Sequence, residues 1–225
     1  MSIQPKYSII IPTYNRAKTL ILTLDSVSNQ TLPSEQYEIL VINDGSTDDT
    51  KEVVFNLQKK YSHNTIRYFY EKNAGPAKAR NLGIKESQGD IIFFTDDDCI
   101  VPRNWMETLL DGYRRHPEVV GVGGGYKSLD RSFTGTGYFQ RYAEEYTGFI
   151  DKQKNDYLSE IENKTNMFGY SSAGNTANMS YKKRILEEIG GFDENLYFAG
   201  AVDLELKRNI VGQRHYILYV PFLKM

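Results

Sequence analysis

The chain has 225 residues and a formal net charge of −2, with 25% charged and 40% hydrophobic side chains. That length supplies core enough for one large domain, and the near-neutral balance excludes the basic footprint of a nucleic-acid binder. Cys99 is the sole cysteine, so no internal disulfide forms and a reducing, cytoplasmic compartment is the default; no apolar run is long enough to span a bilayer.

The first half alternates strictly between strand and helix. Residues 7–11 read as a buried strand that ends at Pro12-Thr13-Tyr14, and Leu20, Leu24 and Val27 recur at helical spacing over 17–27. Residues 37–43 form a second buried strand. Ser46 or Thr47 is placed to cap the next helix, which carries Asp48 and Asp49 in its first turn and runs to about Lys60. A third strand is expected at 65–70, and Pro76 suits the first turn of a helix reaching Ser87. A fourth strand at 91–94, a helix at 105–115 and a fifth strand at 119–123 follow. This pattern predicts a Rossmann-like α/β fold, a mostly parallel twisted sheet with helices on both faces.

The second half is less regular. A helix is expected at 138–150, a mobile polar loop at 151–167 and a strand at 176–181. A short helix at 184–189 stops at Gly190-Gly191, a further helix covers 203–211, and a last strand covers 216–221. No repeat or linker divides the chain, so 1–225 is expected to be one domain in two unequal halves, 1–125 and 126–225.

The chemistry gathers at strand ends. Asp96-Asp97-Asp98 directly follow the fourth strand. Adjacent carboxylates resist ionising together, and a hard divalent cation, Mn2+ or Mg2+, removes that penalty through oxygen ligands. A solvated acidic turn is the plain alternative, but open α/β sheets place their ligands beyond the carboxyl ends of their strands. In a parallel sheet the ends after Ile11, Asn43, Tyr70 and Phe94 share one edge. That edge would gather Thr13, Tyr14, Asp44, the 73–75 loop with Lys78 and Arg80, and the three carboxylates. Such a set suits a nucleoside diphosphate. Pro12-Thr13-Tyr14-Asn15 stands where a dinucleotide-binding fold needs its glycines, and no Gly-Lys-Ser/Thr phosphate loop occurs. The Gly-rich run at 121–125 reads as a strand end that another backbone approaches.

Residues 8–16, 41–48, 73–83, 94–99 with Pro102, 174–180, and 190–194 followed by 203–206 together resemble family 2 of the inverting glycosyltransferases, which have the GT-A fold. The resemblance implies a nucleotide-binding half over 1–125 and a sugar and acceptor half over 126–225. Tyr14 would lie on the nucleotide base with Pro12 and Thr13 shaping its pocket, and Asp44 would meet the base edge, uracil in the commonest case. Lys78 or Arg80 would face the pyrophosphate, Asp96 the ribose and cation, and Asn175 and Asn178 the sugar. Asp97 or Asp98 would ligate the cation: the family's Asp-x-Asp pattern can be read as Asp96 and Asp98, whereas aligning on Pro102 puts Asp97 in the metal position. Asp203 falls at the general base.

The implied partners are a nucleotide-sugar donor and a glycan or lipid-linked acceptor, with peripheral association at the inner face of a membrane and no nucleic acid. Two features depart from the pattern. Val202 stands where the family commonly has an acid, and relatives usually continue beyond the segment around Pro221. Both motivate a rival expectation, a donor-binding module without transferase activity. A Mg2+-dependent phosphohydrolase is a third, weakened because its acids normally follow the first strand.

Overall fold

Chain order and spatial order part company beside the first strand, and that break makes the crevice in which a ligand can lie. The structure, a computed structural model, describes residues 4–124, 157–158, 176–196 and 199–220. Strands β1 (Tyr7–Thr13), β2 (Tyr37–Asp44) and β3 (Thr65–Glu71) step outward in one direction. The chain then crosses back to lay β4 (Ile91–Phe94) against the other side of β1, parallel to it. Ligands in open α/β sheets bind at such a reversal of strand order, outside the carboxyl ends.

Among the described residues the sheet has eight strands in the order β3-β2-β1-β4-β7-β5-β8-β6. β5 (Val119–Gly124) and β8 (Tyr216–Val220) pair in parallel, whereas β7 (Met179–Lys182) is antiparallel to both β4 and β5. β6 (Tyr157–Leu158) pairs antiparallel with β8, so part of the stretch expected to be a loop is a strand. The expected helix over 138–150 lies outside the described residues.

The apolar runs form strands because both faces of the sheet are covered. Ile9, Ile11, Ile39, Val41 and Phe93 point into one layer, with helices α1 (Ala17–Ser28), α2 (Thr50–Lys60) and α4 (Trp105–Arg115). Ile10, Leu40, Ile42, Ile92 and Phe94 point into the other, with α3 (Pro76–Glu86), α5 (Lys183–Glu188) and α6 (Ala199–Gly212). Alternation along each strand divides the side chains between the layers. The expected helices on both faces are present.

Four local expectations are corrected. β1 continues through Pro12, which pairs with Ile42 of β2. Ile10 faces β4, as its carbonyl accepts from Thr95 N at 3.4 Å, and Pro12 faces the same way beyond the last pair, Ile10 with Phe94. Its missing N–H therefore costs no ladder bond. Helix α2 begins at Thr50, so Asp48 and Asp49 precede it; Asp48 Oδ1 accepts from the Thr50 amide at 3.1 Å, while Ser46 and Thr47 bond to Asn15 instead of capping. Helix α6 begins at Ala199, which puts Asp203 in its second turn. Gly121 is approached by a ring rather than a backbone: a Cβ there would lie 2.7 Å from Tyr181 Cδ1.

The edge away from the crevice is pinned by a fully buried carboxylate. Glu38 Oε1 accepts from Ser8 Oγ at 2.7 Å and from Gln88 N at 2.6 Å, and Oε2 accepts from Arg67 Nη1 at 2.9 Å. Gly89 N donates to Ser8 Oγ at 2.9 Å, drawing the turn before β4 onto β1. A Cβ on Gly89 would lie 2.5 Å from the backbone of Tyr7. Gly89→Ala should therefore lower stability by roughly 1–3 kcal/mol, read as a lower urea midpoint at unchanged slope.

Candidate functional site

The crevice is built from loops that hold one another. Asn15, with φ of 53°, turns the chain after β1; its amide donates to Ser46 Oγ at 2.9 Å and its Oδ1 accepts from Thr47 N at 2.7 Å. Asp48 Oδ2 accepts from Ala17 N at 3.0 Å, which ties the β2–α2 loop to the start of α1. Tyr14 is 47% exposed on this frame, while Thr13 is buried and Pro12 half-buried. An exposed aromatic on a braced loop is a stacking surface.

Asp44, the last residue of β2, organises the next loop. Its Oδ1 accepts from Ala74 N at 2.7 Å and its Oδ2 from Gly75 N at 2.9 Å. Gly45 admits the approach, since a Cβ there would lie 2.7 Å from Asn73 N and its φ of 82° suits only glycine well. Asp44 is buried and already carries two backbone donors, so any ligand meets it through remaining lone pairs.

The three acids take three different environments. Asp96 Oδ1 accepts from Arg80 Nη2 at 3.0 Å. Burial raises the Asp96 carboxyl above its ordinary range, Arg80 opposes that shift and the Asp203 charge adds to it. Asp97 is buried, and burial pushes its carboxyl up to about 6. Asp98 is exposed and paired with Arg16 Nη1, whose Nε also reaches Asp97 Oδ1 at 3.8 Å. Donor atoms of Asp96, Asp98 and Cys99 lie within 4.8 Å of one another, and Asp97 stands outside that group. Burial, with Asp96 and Asp98, pushes the Cys99 thiol up to about 12. The carboxylate oxygens fit a hard ion such as Mn2+ or Mg2+.

Other expected site residues separate. Arg80 is buried over the Phe192 ring, 5.7 Å from its centroid, while Lys78 is exposed on the same helix near Glu71. Asn178 is fully buried, and its Oδ1 accepts from Trp105 Nε1 at 2.8 Å, so it braces β7 from within. Asn175 lies outside the described residues.

Asp203 comes to this edge from the far half of the chain. It is buried, and Thr176 donates to both of its oxygens: Oγ1 to Oδ1 at 2.9 Å and N to Oδ2 at 3.1 Å. Lys207, one turn further along α6, is held down to about 8 by burial, with Asp203 opposing. Val202 packs in the apolar layer with Leu206 and Ile210. Sequence reasoning missed Arg16 and Thr176 as site residues. Both lie in segments that carry the family resemblance, 8–16 and 174–180, and Arg16 is also a cation just beyond the first strand, at the edge that gathers the acids.

Comparison with known proteins fits this geometry. The profile of Glycosyl transferase family 2 matches residues 8–189, and the chain belongs to that family. It is 30% identical over 202 residues to Glycosyltransferase AglE of Haloferax volcanii, covering 88% of this chain and 59% of that protein. Among solved structures it resembles the mannosyltransferase PcManGT from Pyrobaculum calidifontis, in complex with GDP-Man and Mn2+. That match has a TM-score of 0.73 and 21% identity over 98% of this chain and 56% of that one. It also resembles S. aureus TarS 1-349 in complex with UDP, with a TM-score of 0.69 and 20% identity over 96% of this chain and 60% of that one. The fold is GT-A, and the chain spans less than two thirds of the length of each of these proteins.

Asp44→Ala should remove both acceptors from the 73–75 loop at a cost of about 1–3 kcal/mol. Amide hydrogen exchange at Ala74 and Gly75 should accelerate well beyond that of neighbouring amides; equal protection would show that Asp44 does not hold the loop.

Proposed function

We propose that this chain transfers a sugar from a nucleotide-diphosphate donor, a UDP-sugar, to an acceptor hydroxyl on a glycan or lipid-linked chain, with inversion at the anomeric carbon. The observation that supports the reading is the meeting of halves: the edge that bears Tyr14, Asp44 and the converging oxygens of Asp96 and Asp98 also receives Asp203, buried and held by two Thr176 donors. The family match and the nucleotide complexes of similar folds support the donor class.

Tyr14 stacks on the base, Pro12 and Thr13 shape its pocket, and Asp44 accepts from the base edge. Asp96 takes the ribose, and the diphosphate lies between the acids and α3, which carries Lys78, exposed, and Arg80, buried. Asp96 and Asp98 would hold Mn2+ or Mg2+, which when bound offsets charge on the leaving diphosphate. Geometry favours this pair over Asp97 with Asp98, because the Asp97 oxygens stand outside the converging donors. Asn175 and Asn178 belong to the sugar side, Asn178 by bracing it.

The acceptor oxygen attacks the anomeric carbon from the face opposite the nucleotide. The bond to the diphosphate oxygen breaks with its electron pair, and the acceptor proton passes to an Asp203 carboxylate oxygen. The two Thr176 donors fix the orientation of that carboxylate. A module that binds donor without transferring it is the competing reading, favoured by Val202, which is sealed in the apolar layer where the family commonly has an acid.

Asp203→Asn should keep UDP binding and lose transfer by at least about a hundredfold; equal loss of both would remove Asp203 from the base role. Thermal unfolding with UDP, GDP, dTDP and CMP, each with and without Mn2+, should give its largest upward shift with UDP plus Mn2+. No shift with any nucleotide would overturn the donor reading.

A further inference from the structure

Arg16 stands among the acids with no part in the scheme above. Its Nη1 holds Asp98 and its Nε lies 3.8 Å from Asp97 Oδ1. Asp98 is also one of the groups whose donor atoms converge with those of Asp96 and Cys99 within 4.8 Å. One carboxylate thus belongs both to an ion pair and to the donor set for a cation. A guanidinium and a divalent ion repel, so they compete for Asp98.

The two arginines of the edge differ in freedom. The Arg80 side chain is 5% exposed and packed over Phe192, whereas that of Arg16 is 52% exposed. Arg80 is fixed by burial, and Arg16 can leave Asp98 without abandoning a packed position. The charges also favour an exchange. Among the described residues Asp96, Asp97 and Asp98 face the guanidiniums of Arg16 and Arg80, and Asp203 adds its charge at Asp96, an acidic balance that disfavours a diphosphate. A divalent ion shifts that balance by two positive charges. It also frees a planar guanidinium, whose fork matches phosphate oxygens.

We propose that Arg16 is the resident counter-cation of the acidic cluster, displaced from Asp98 by the divalent ion and taken up by the donor's diphosphate, so that ion and nucleotide bind cooperatively through this side chain. The inference rests on the donor reading above. In the nucleotide-free protein Arg16 opposes the ion; with a diphosphate present it has another partner and the opposition falls. The coupling is reciprocal, as linkage requires.

Mn2+ titration of the whole chain, followed by the paramagnetic resonance of free Mn2+ with and without UDP, tests this. Without UDP, Arg16→Gln and Arg16→Ala should bind Mn2+ about tenfold more tightly than the unaltered protein, and the enhancement by UDP should shrink by a similar factor. Arg16→Lys, which keeps the charge, should stay near the unaltered protein and confirms that charge is the cause. Circular dichroism establishes that each variant is folded, and either neutral variant suffices. Equal or weaker Mn2+ binding by a folded neutral variant, or an undiminished UDP effect, would overturn this inference alone. Failure of the unaltered chain to bind Mn2+ with or without UDP would overturn the cation reading as well.

Discussion

Like-charge repulsion among Asp96, Asp97 and Asp98 is the constraint the rest of the site answers to. Three neighbouring carboxylates at a strand end cannot all ionise without partners. The fold gives each its own environment: Arg80 from α3 pairs with Asp96, Arg16 from the loop after β1 pairs with Asp98 and reaches Asp97, and burial raises the Asp97 carboxyl against that pairing. These partners come from different elements, so the cluster also ties β4 to α3 and to the β1–α1 loop. An edge that is poised rather than satisfied is where a cation and an anionic ligand gain most.

The reversal of strand order beside β1 lets those partners meet. β1 and β4 are neighbours, so Tyr14 and the acids flank the same crevice although about eighty positions separate them. The antiparallel strand β7 then seats the second half against β4, and Thr176 just before it meets Asp203 of α6. A wholly parallel extension would have sent the residues before β7 to the opposite edge. The one reversed strand between β4 and β5 therefore brings the acid of the second half to the acids of the first.

Much of the sheet was legible in the chain. Runs such as Ile39–Ile42 and Ile91–Phe94 are apolar on both faces and admit only a doubly covered sheet. Helix starts were less legible. Asp48, Ser46 and Thr47 all have side chains suited to capping, but Asn15 from another loop claims two of them. Asp203 looked like a helix start because polar residues favour first turns; packing of Val202 and Leu206 in the apolar layer accompanies an earlier start at Ala199.

The sequence by itself determined the layered α/β class, the strand-end position of the acids, and a family resemblance that extends along most of the chain. These depend on composition, periodicity and order, which are local properties of the chain. The tertiary structure alone decided which acid faces which cation, that Arg80 is buried while Lys78 is exposed, that Asn178 serves Trp105, and that Thr176 and Asp203 are partners. Each of these depends on which side of the sheet a distant element lands, and neighbouring residues carry no record of that.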